Sequence, residues 1–225
     1  MPTGFEVIRA PSLVDEAYRQ IRAQILQGGF RAGDPLRDSS LAEQMGTSRS
    51  PVREALRLLE QSGLVEKFAN RSYRIATIDK SDVPELARLR ASDEILAIER
   101  IVEQRSPLDT VQTQLDRVRA VGEDIAEQAA ADAAFHAAVV DLAGLPRLSA
   151  RYADLTDQIR LVLLVHGLEH GSDVESSVRE HTRLLMLLRA AVDSGECDEL
   201  RAEWQAHVFA GLSVPVPTTS RASSQ

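Results

Sequence analysis

Residues 41–63 read Leu41-Ala42-Glu43-Gln44-Met45-Gly46-Thr47-Ser48-Arg49-Ser50-Pro51-Val52-Arg53-Glu54-Ala55-Leu56-Arg57-Leu58-Leu59-Glu60-Gln61-Ser62-Gly63, and this stretch decides the fold. The pattern predicts a short helix, Ser39 to Met45, stopped by Gly46, and a second from Ser48 to Gln61, stopped by Gly63. Pro51 fits the second helix because a proline in the first turn removes an N–H that has no partner there. Val52, Ala55, Leu56 and Leu59 share one face of that helix, and Arg49, Ser50, Arg53 and Arg57 lie on the other side.

Working outward, Val14, Ala17, Tyr18, Ile21, Ile25 and Leu26 keep helical spacing from Leu13 up to Gly28-Gly29. A turn at Ala32-Gly33-Asp34-Pro35 follows. Beyond Gly63 the period changes. Leu64–Phe68 and Tyr73–Ala76 read as two strands around Ala69-Asn70-Arg71-Ser72. Three helices and a β-hairpin in this order make a winged helix-turn-helix. From Asp82 strand signals vanish, and helices are expected at 82–104, 107–128, 129–143, 147–169, 174–194 and 196–212. The chain is thus expected to be mainly α. Residues 1–78 form the winged unit, 79–213 an all-helical bundle, and 214–225 a Pro/Ser/Thr-rich disordered tail.

The charge follows this division. The 225 residues carry a net −8, which taken whole disfavours a polyanionic partner. Residues 1–78 hold 11 Lys/Arg against 9 Asp/Glu, or 11 − 9 = +2. The remainder holds 15 against 25, or −10. The hydrophobic share of 44% with 27% charged residues fits a globular chain, and no apolar run approaches a membrane span. A single cysteine, Cys197, allows no internal disulfide and points to a reducing cytoplasm.

A DNA-reading helix buries one face and offers donors from its first turns to base edges and phosphates. Arg49, Ser50 and Arg53 stand in that position, and arginine's planar fork can grip guanine bidentately. Asn70 and Arg71 sit at the hairpin tip, in reach of an adjacent minor groove. The plain alternative is a solvated face of an amphipathic helix. The turn, the change of period and the charge placement agree independently on the first reading.

Residues Gly28-Gly29-Phe30-Arg31-Ala32-Gly33-Asp34-Pro35-Leu36 and Leu41 to Val65 resemble the DNA-binding domain of GntR-family bacterial transcription regulators. The resemblance implies operator contacts from Arg49, Ser50 and Arg53, with Ser48 beside them, and from Arg71 at the wing. It departs at Ser72, where the wing commonly has glycine. It departs again at Ser39, where some members carry a DNA-contacting arginine, so that this contact is either absent or made by Arg37 instead.

All five histidines follow residue 130. Asp132 and His136 are four apart and share a helical face, while His181 and His207 lie on two later helices. One carboxylate and three imidazoles inside a bundle suit a divalent metal, although helical histidines often only satisfy a core hydrogen bond. Arg160 sits in Ile159-Arg160-Leu161-Val162-Leu163, where a charge requires a partner. That partner is either the carboxylate of an organic acid or an internal Asp/Glu. Arg90 is expected to pair with Glu94 across one turn.

Residues 82–212 are similar to the FCD effector domain of the FadR subfamily of GntR regulators, through Leu89-Arg90 with Glu94, Asp132-Ala133-Ala134-Phe135-His136, Glu180-His181, and Ser194-Gly195-Glu196 leading to His207. The resemblance implies that Asp132, His136, His181 and His207 bind a metal, often zinc or nickel, that helps hold a small carboxylate. Two departures stand out. Leu145 follows Gly144 where asparagine is usual, and the stretch from His181 to Ser194-Gly195 is about one helical turn longer than the common pattern. An extra turn shifts His181 by about 5–6 Å along its axis, which would require a slide or a bulge, or His166 or His170 as substitute.

These features predict a cytoplasmic, ligand-responsive transcription regulator that binds a palindromic operator as a homodimer and acts as a repressor. Its bundle is expected to sense a small organic acid with a divalent metal, and effector binding to lower operator affinity by population shift. The alternative is a metal-dependent, hydrolase-like helical domain fused to a DNA-binding module. No phosphate loop, His-Glu-x-x-His or Gly-x-Ser-x-Gly element supports enzymatic activity.

Overall fold

The computed structural model describes residues 13–68 and 72–216, and the chain divides into two units between Ala76 and Thr77. In the first, α1 (Leu13–Leu26), α2 (Asp38–Gln44) and α3 (Arg49–Gln61) are followed by the hairpin β2 (Val65–Phe68) and β3 (Ser72–Ile75). α1 packs against α3, and Ile21 and Ile25 of the one and Val52, Ala55, Leu56 and Leu59 of the other are all buried. Gly63 takes a positive φ of 76°, which glycine adopts without strain and which turns the chain from α3 into β2.

The sheet has one strand more than the sequence suggests. Pro35–Leu36, expected within a turn, forms β1 and pairs antiparallel with β3, giving the order β1-β3-β2. Backbone hydrogen bonds from Gly33 to Ile75 and from Ile75 to Asp34 extend this seam. Arg74 lies over the Phe68 ring at 4.7 Å and pairs with Glu66, bracing the two strands against each other. Arg71 and Asn70 fall outside the described residues.

The second unit consists of α4 (Val83–Gln104), α5 (Asp109–Ala120), α6 (Ile125–Leu142), α7 (Pro146–His170), α8 (Val174–Ser194) and α9 (Asp198–Gly211). The expected runs 107–128 and 129–143 are corrected to α5 and α6, with the break at Val121-Gly122-Glu123-Asp124. Asp124 accepts from the Glu127 N–H, the N-terminal cap that starts α6 there. α6 packs against α4, α5 and α7, and its run of alanines lets neighbours approach on several sides. Gly167 of α7 marks such an approach, since a Cβ there would lie 2.6 Å from Ile125 Cγ2. Val214, expected in the disordered tail, donates its N–H to Phe209 O and packs on the bundle core. No helix among the described residues is long and apolar enough to cross a membrane.

Candidate metal centre and DNA-reading face

The bundle brings together the four residues that the sequence singled out. Asp132 and His136 project from α6, His181 from α8 and His207 from α9, with ligand atoms all within 4.8 Å of one another. His136 Nε2 lies 3.2 Å from His207 Nε2, and His181 Nε2 lies 3.2 Å from Asp132 Oδ1. A tetrahedral ion with bonds of ~2.0–2.1 Å needs donors roughly 3.3 Å apart.

Hydrogen bonding fixes the tautomers. His136 Nδ1 is 2.7 Å from Glu94 Oε2, His181 Nδ1 is 2.7 Å from Ser177 O, and His207 Nδ1 is 3.0 Å from Glu180 Oε2. Carboxylates and carbonyls accept, so each Nδ1 carries the proton and each Nε2 presents a lone pair. His181 Nε2 is buried without a hydrogen bond despite its nearness to Asp132. Three lone pairs and a carboxylate oxygen therefore converge with no proton to share. This donor set fits a divalent cation, and outer partners that fix ring orientation are the usual companions of such ligands.

Charge points the same way. Arg90 Nη2 donates to Asp132 Oδ2 at 3.1 Å, leaving Oδ1 toward the histidines. Arg90 and Glu94 are both buried. Burial alone would raise the Glu94 carboxyl, but His136 and Arg90 hold it well below its ordinary value. Burial and the Arg90 charge push the His136 imidazole down to about 4, and burial also lowers His207. Near neutral pH the single positive charge of Arg90 stands against ionised Glu94 and Asp132, with ionised Glu180 at the exposed edge and the His136 and His207 rings neutral between them. Glu94 is the hub: Arg90 Nε at 2.8 Å, Trp204 Nε1 at 2.5 Å, Tyr152 Oη and His136 all donate to it.

The longer stretch after His181 does not displace it. α8 is one unbroken α-helix, so neither slide nor bulge is needed. Fourteen steps lead from His181 to Gly195 and twelve return to His207, so antiparallel helices come back close to one level. The pairs Glu180–His207 and Arg183–Glu203 confirm that antiparallel register. His166 and His170 stack on each other at the C-terminal end of α7 and are not in the cluster. Arg90 pairs with Glu94 as expected and also reaches Asp132. Arg160 is half-buried on α7, two turns beyond Tyr152, and has a partner within the protein. Sequence reasoning missed Glu94's hub role, Tyr152, Trp204, Ser177 and the support from Glu180. Glu180 next to His181 was the signal that could have found the last.

In the first unit Arg37, Ser48, Ser50, Arg49 and Arg53 are all exposed. Ser48 is the residue before α3, and Arg37 stands in the corresponding place before α2. Arg49 and Arg53 share a partner absent from the sequence reading, the carboxylate of Asp38. Burial raises the Asp38 carboxyl, yet hydrogen bonds from Arg53 and Arg49 leave it below its ordinary value, so it is ionised at neutral pH. Arg57 pairs with Glu54.

Residues 13–75 match the family described as bacterial regulatory proteins, gntR family, and residues 85–209 match the FCD domain. An uncharacterized HTH-type transcriptional regulator of Bacillus subtilis is 29% identical over 173 residues, covering 74% of this chain and 76% of the relative. The HTH-type transcriptional regulator McbR of Escherichia coli is 25% identical, over 84% of this chain and 86% of its own. A crystal structure of a GntR transcriptional regulator from Rhodococcus sp. RHA1 superposes with a TM-score of 0.78 at 22% identity, covering 90% and 97% of the two chains.

Proposed function

The chain belongs to the GntR family of bacterial regulatory proteins, with an FCD domain as its second unit, and from that premise we propose a transcription regulator whose bundle senses a small organic acid through a bound divalent metal. The observation that carries the sensor half is the convergence of three imidazole lone pairs and Asp132 Oδ1. When bound, zinc or nickel would supply a Lewis-acidic face for a carboxylate. Asp132, His136, His181 and His207 would hold it, Glu94, Ser177 and Glu180 keep the rings oriented, and Arg90 keeps Asp132 ionised. The Asp132 side chain is 19% exposed and His207 8%, which puts the approach for an effector on their side. Arg160 is assigned to the effector carboxylate, exchanging its present partner for it. Sensing and hydrolysis alike need a coordination position beyond the four protein ligands, and the DNA-binding unit in the same chain favours sensing.

In the reader, Arg49, Ser50 and Arg53 are assigned to operator bases and phosphates, flanked by Arg37, Ser48 and Arg71. A homodimer matches a palindromic operator, and effector binding would shift the population of DNA-competent dimers, with repression relieved. The acidic bundle is repelled by DNA and leaves contact to the reader.

Protein purified without chelator is expected to carry about one divalent ion per chain, and added Zn²⁺ or Ni²⁺ to raise Tm. Failure of both removes the metal. Arg49→Ala and Arg53→Ala should each abolish retardation of a duplex that the wild-type chain enriches from a random pool, at physiological salt. Wild-type retardation by both would refute the assignment of α3.

A further inference from the structure

We propose that Asp38 sets DNA-sequence discrimination by holding the guanidinium of Arg53, and with it that of Arg49, in the orientation that reads a base. This rests on the assignment of α3 to DNA made above.

Asp38 is the first residue of α2 and lies 15 positions before Arg53, brought to it by the packing of α2 on α3. Its Oδ2 accepts from Arg53 Nε at 3.0 Å and Nη2 at 2.6 Å. Arg49 Nη2 lies 2.9 Å from Oδ1 and 3.2 Å from Oδ2. The Asp38 side chain is 18% exposed, whereas those of Arg49 and Arg53 are 60% and 56% exposed. One sheltered carboxylate thus anchors two solvent-facing cations.

The edge that Asp38 takes is informative. A guanidinium has a side-on edge, Nε with Nη2, and an end-on edge, Nη1 with the second Nη2 proton. Asp38 occupies the side-on edge of Arg53, and Nη1 makes no hydrogen bond among the described residues. The end-on edge is the pair of donors that matches O6 and N7 of guanine in the major groove. An unrestrained arginine must lose several rotors on reaching a base. One already held on its other edge loses few.

Asp38 also acts through its charge. Non-specific binding is driven by phosphate neutralisation and carries no sequence information. A carboxylate between two arginines reduces that attraction on every sequence, while the orientation it imposes favours the matching one. Both effects raise the ratio of specific to non-specific affinity. Exposed ion pairs contribute little to folding, so the arrangement is better explained by reading than by stability.

The test uses the full-length chain, the duplex it enriches from a random pool, and a scrambled duplex of equal length. Asp38→Asn should bind the scrambled duplex as tightly as wild type or more tightly. It should bind the enriched duplex less tightly, lowering the ratio of the two affinities by about tenfold or more, with a steeper salt dependence on the scrambled duplex. An unchanged ratio, equal tightening on both duplexes or equal weakening on both would overturn the proposal. Should Asp38→Asn fail to fold by circular dichroism, Asp38→Ser is measured instead, and failure of both to fold would show a folding residue and overturn it as well. Arg53→Ala separates the two levels. If that variant keeps the wild-type ratio, the assignment of α3 fails. If it loses the ratio while Asp38→Asn keeps it, only the role of Asp38 fails.

Discussion

His136 and His207 face each other Nε2 to Nε2 at 3.2 Å, and each ring has already given its Nδ1–H to a carboxylate, Glu94 for one and Glu180 for the other. Two lone pairs held in that way repel unless a cation lies between them.

Glu180 is the accessible half of this arrangement, with its side chain 48% exposed. Glu180→Gln keeps an acceptor but removes the charge that makes the His207 ring more basic. Zn²⁺ affinity measured by chelator competition should fall about 10–100-fold with Tm of the metal-free protein nearly unchanged. An unaltered affinity would show that Glu180 does not support the ligand.

Glu94 is the buried half and accepts from four side chains. Glu94→Ala leaves Arg90 buried without its nearest counter-charge, and unfolding should be easier by about 3–5 kcal/mol. Trp204, the chain's single tryptophan, donates to Glu94 and reports the same event by fluorescence. A loss below about 1 kcal/mol would mean that water or rearrangement replaces the network.

The metal-free bundle should lose stability as pH falls from about 6.5 to about 4. His136 titrates near 4 when folded and near 6.5 when unfolded, so between these values the unfolded chain binds a proton that the folded chain refuses. Burial lowers His207 as well and adds to the same slope. The lowered carboxyls of Glu94 and Asp132 act further down, as pH falls below their ordinary range. Melting curves in EDTA across pH 4–8 check this, and a flat Tm from 6.5 to 4 would contradict it.

Gly167→Ala sets helix propensity against packing. Alanine favours a helix interior by about 1 kcal/mol over glycine, but its Cβ would meet Ile125 Cγ2 at 2.6 Å. Overpacking of this kind costs about 1–3 kcal/mol, so the variant should melt lower. In an Ile125→Ala background the obstacle is gone and the same change should raise Tm. Equal effects in both backgrounds would exclude the clash.

The reader unit was largely legible because its signals are local: glycines at helix ends, a change of period after Gly63, arginines on one face of α3. The strand Pro35–Leu36 was not, since two residues have no period and their pairing lies with β3, far along the chain. The break before α6 was written in the sequence, as Asp124 with Glu127 three residues on, but the alanine-rich run around it reads as helix throughout. In the sensor, Asp132 and the three histidines were visible as residue types. Glu94's meeting with Tyr152 and Trp204, 58 and 110 residues away, depends on the bundle's packing. Asp38 reads as an ordinary helix-start residue until α3 is laid beside it.

The near-equal arms on either side of Gly195 have a consequence for how this domain tolerates change in length. The part of the α8–α9 hairpin beyond the cluster packs into the bundle, with Leu188, Ala191 and Leu200 in its core and Arg189 and Arg201 tied to Gln112 and Glu99, and its two arms leave His181 and His207 level. A whole turn added to both arms keeps the two rings level, whereas two residues added to one arm swing a ring away from its three companions. The cluster therefore constrains the difference in length between the two arms, and the core packing beyond it constrains their sum.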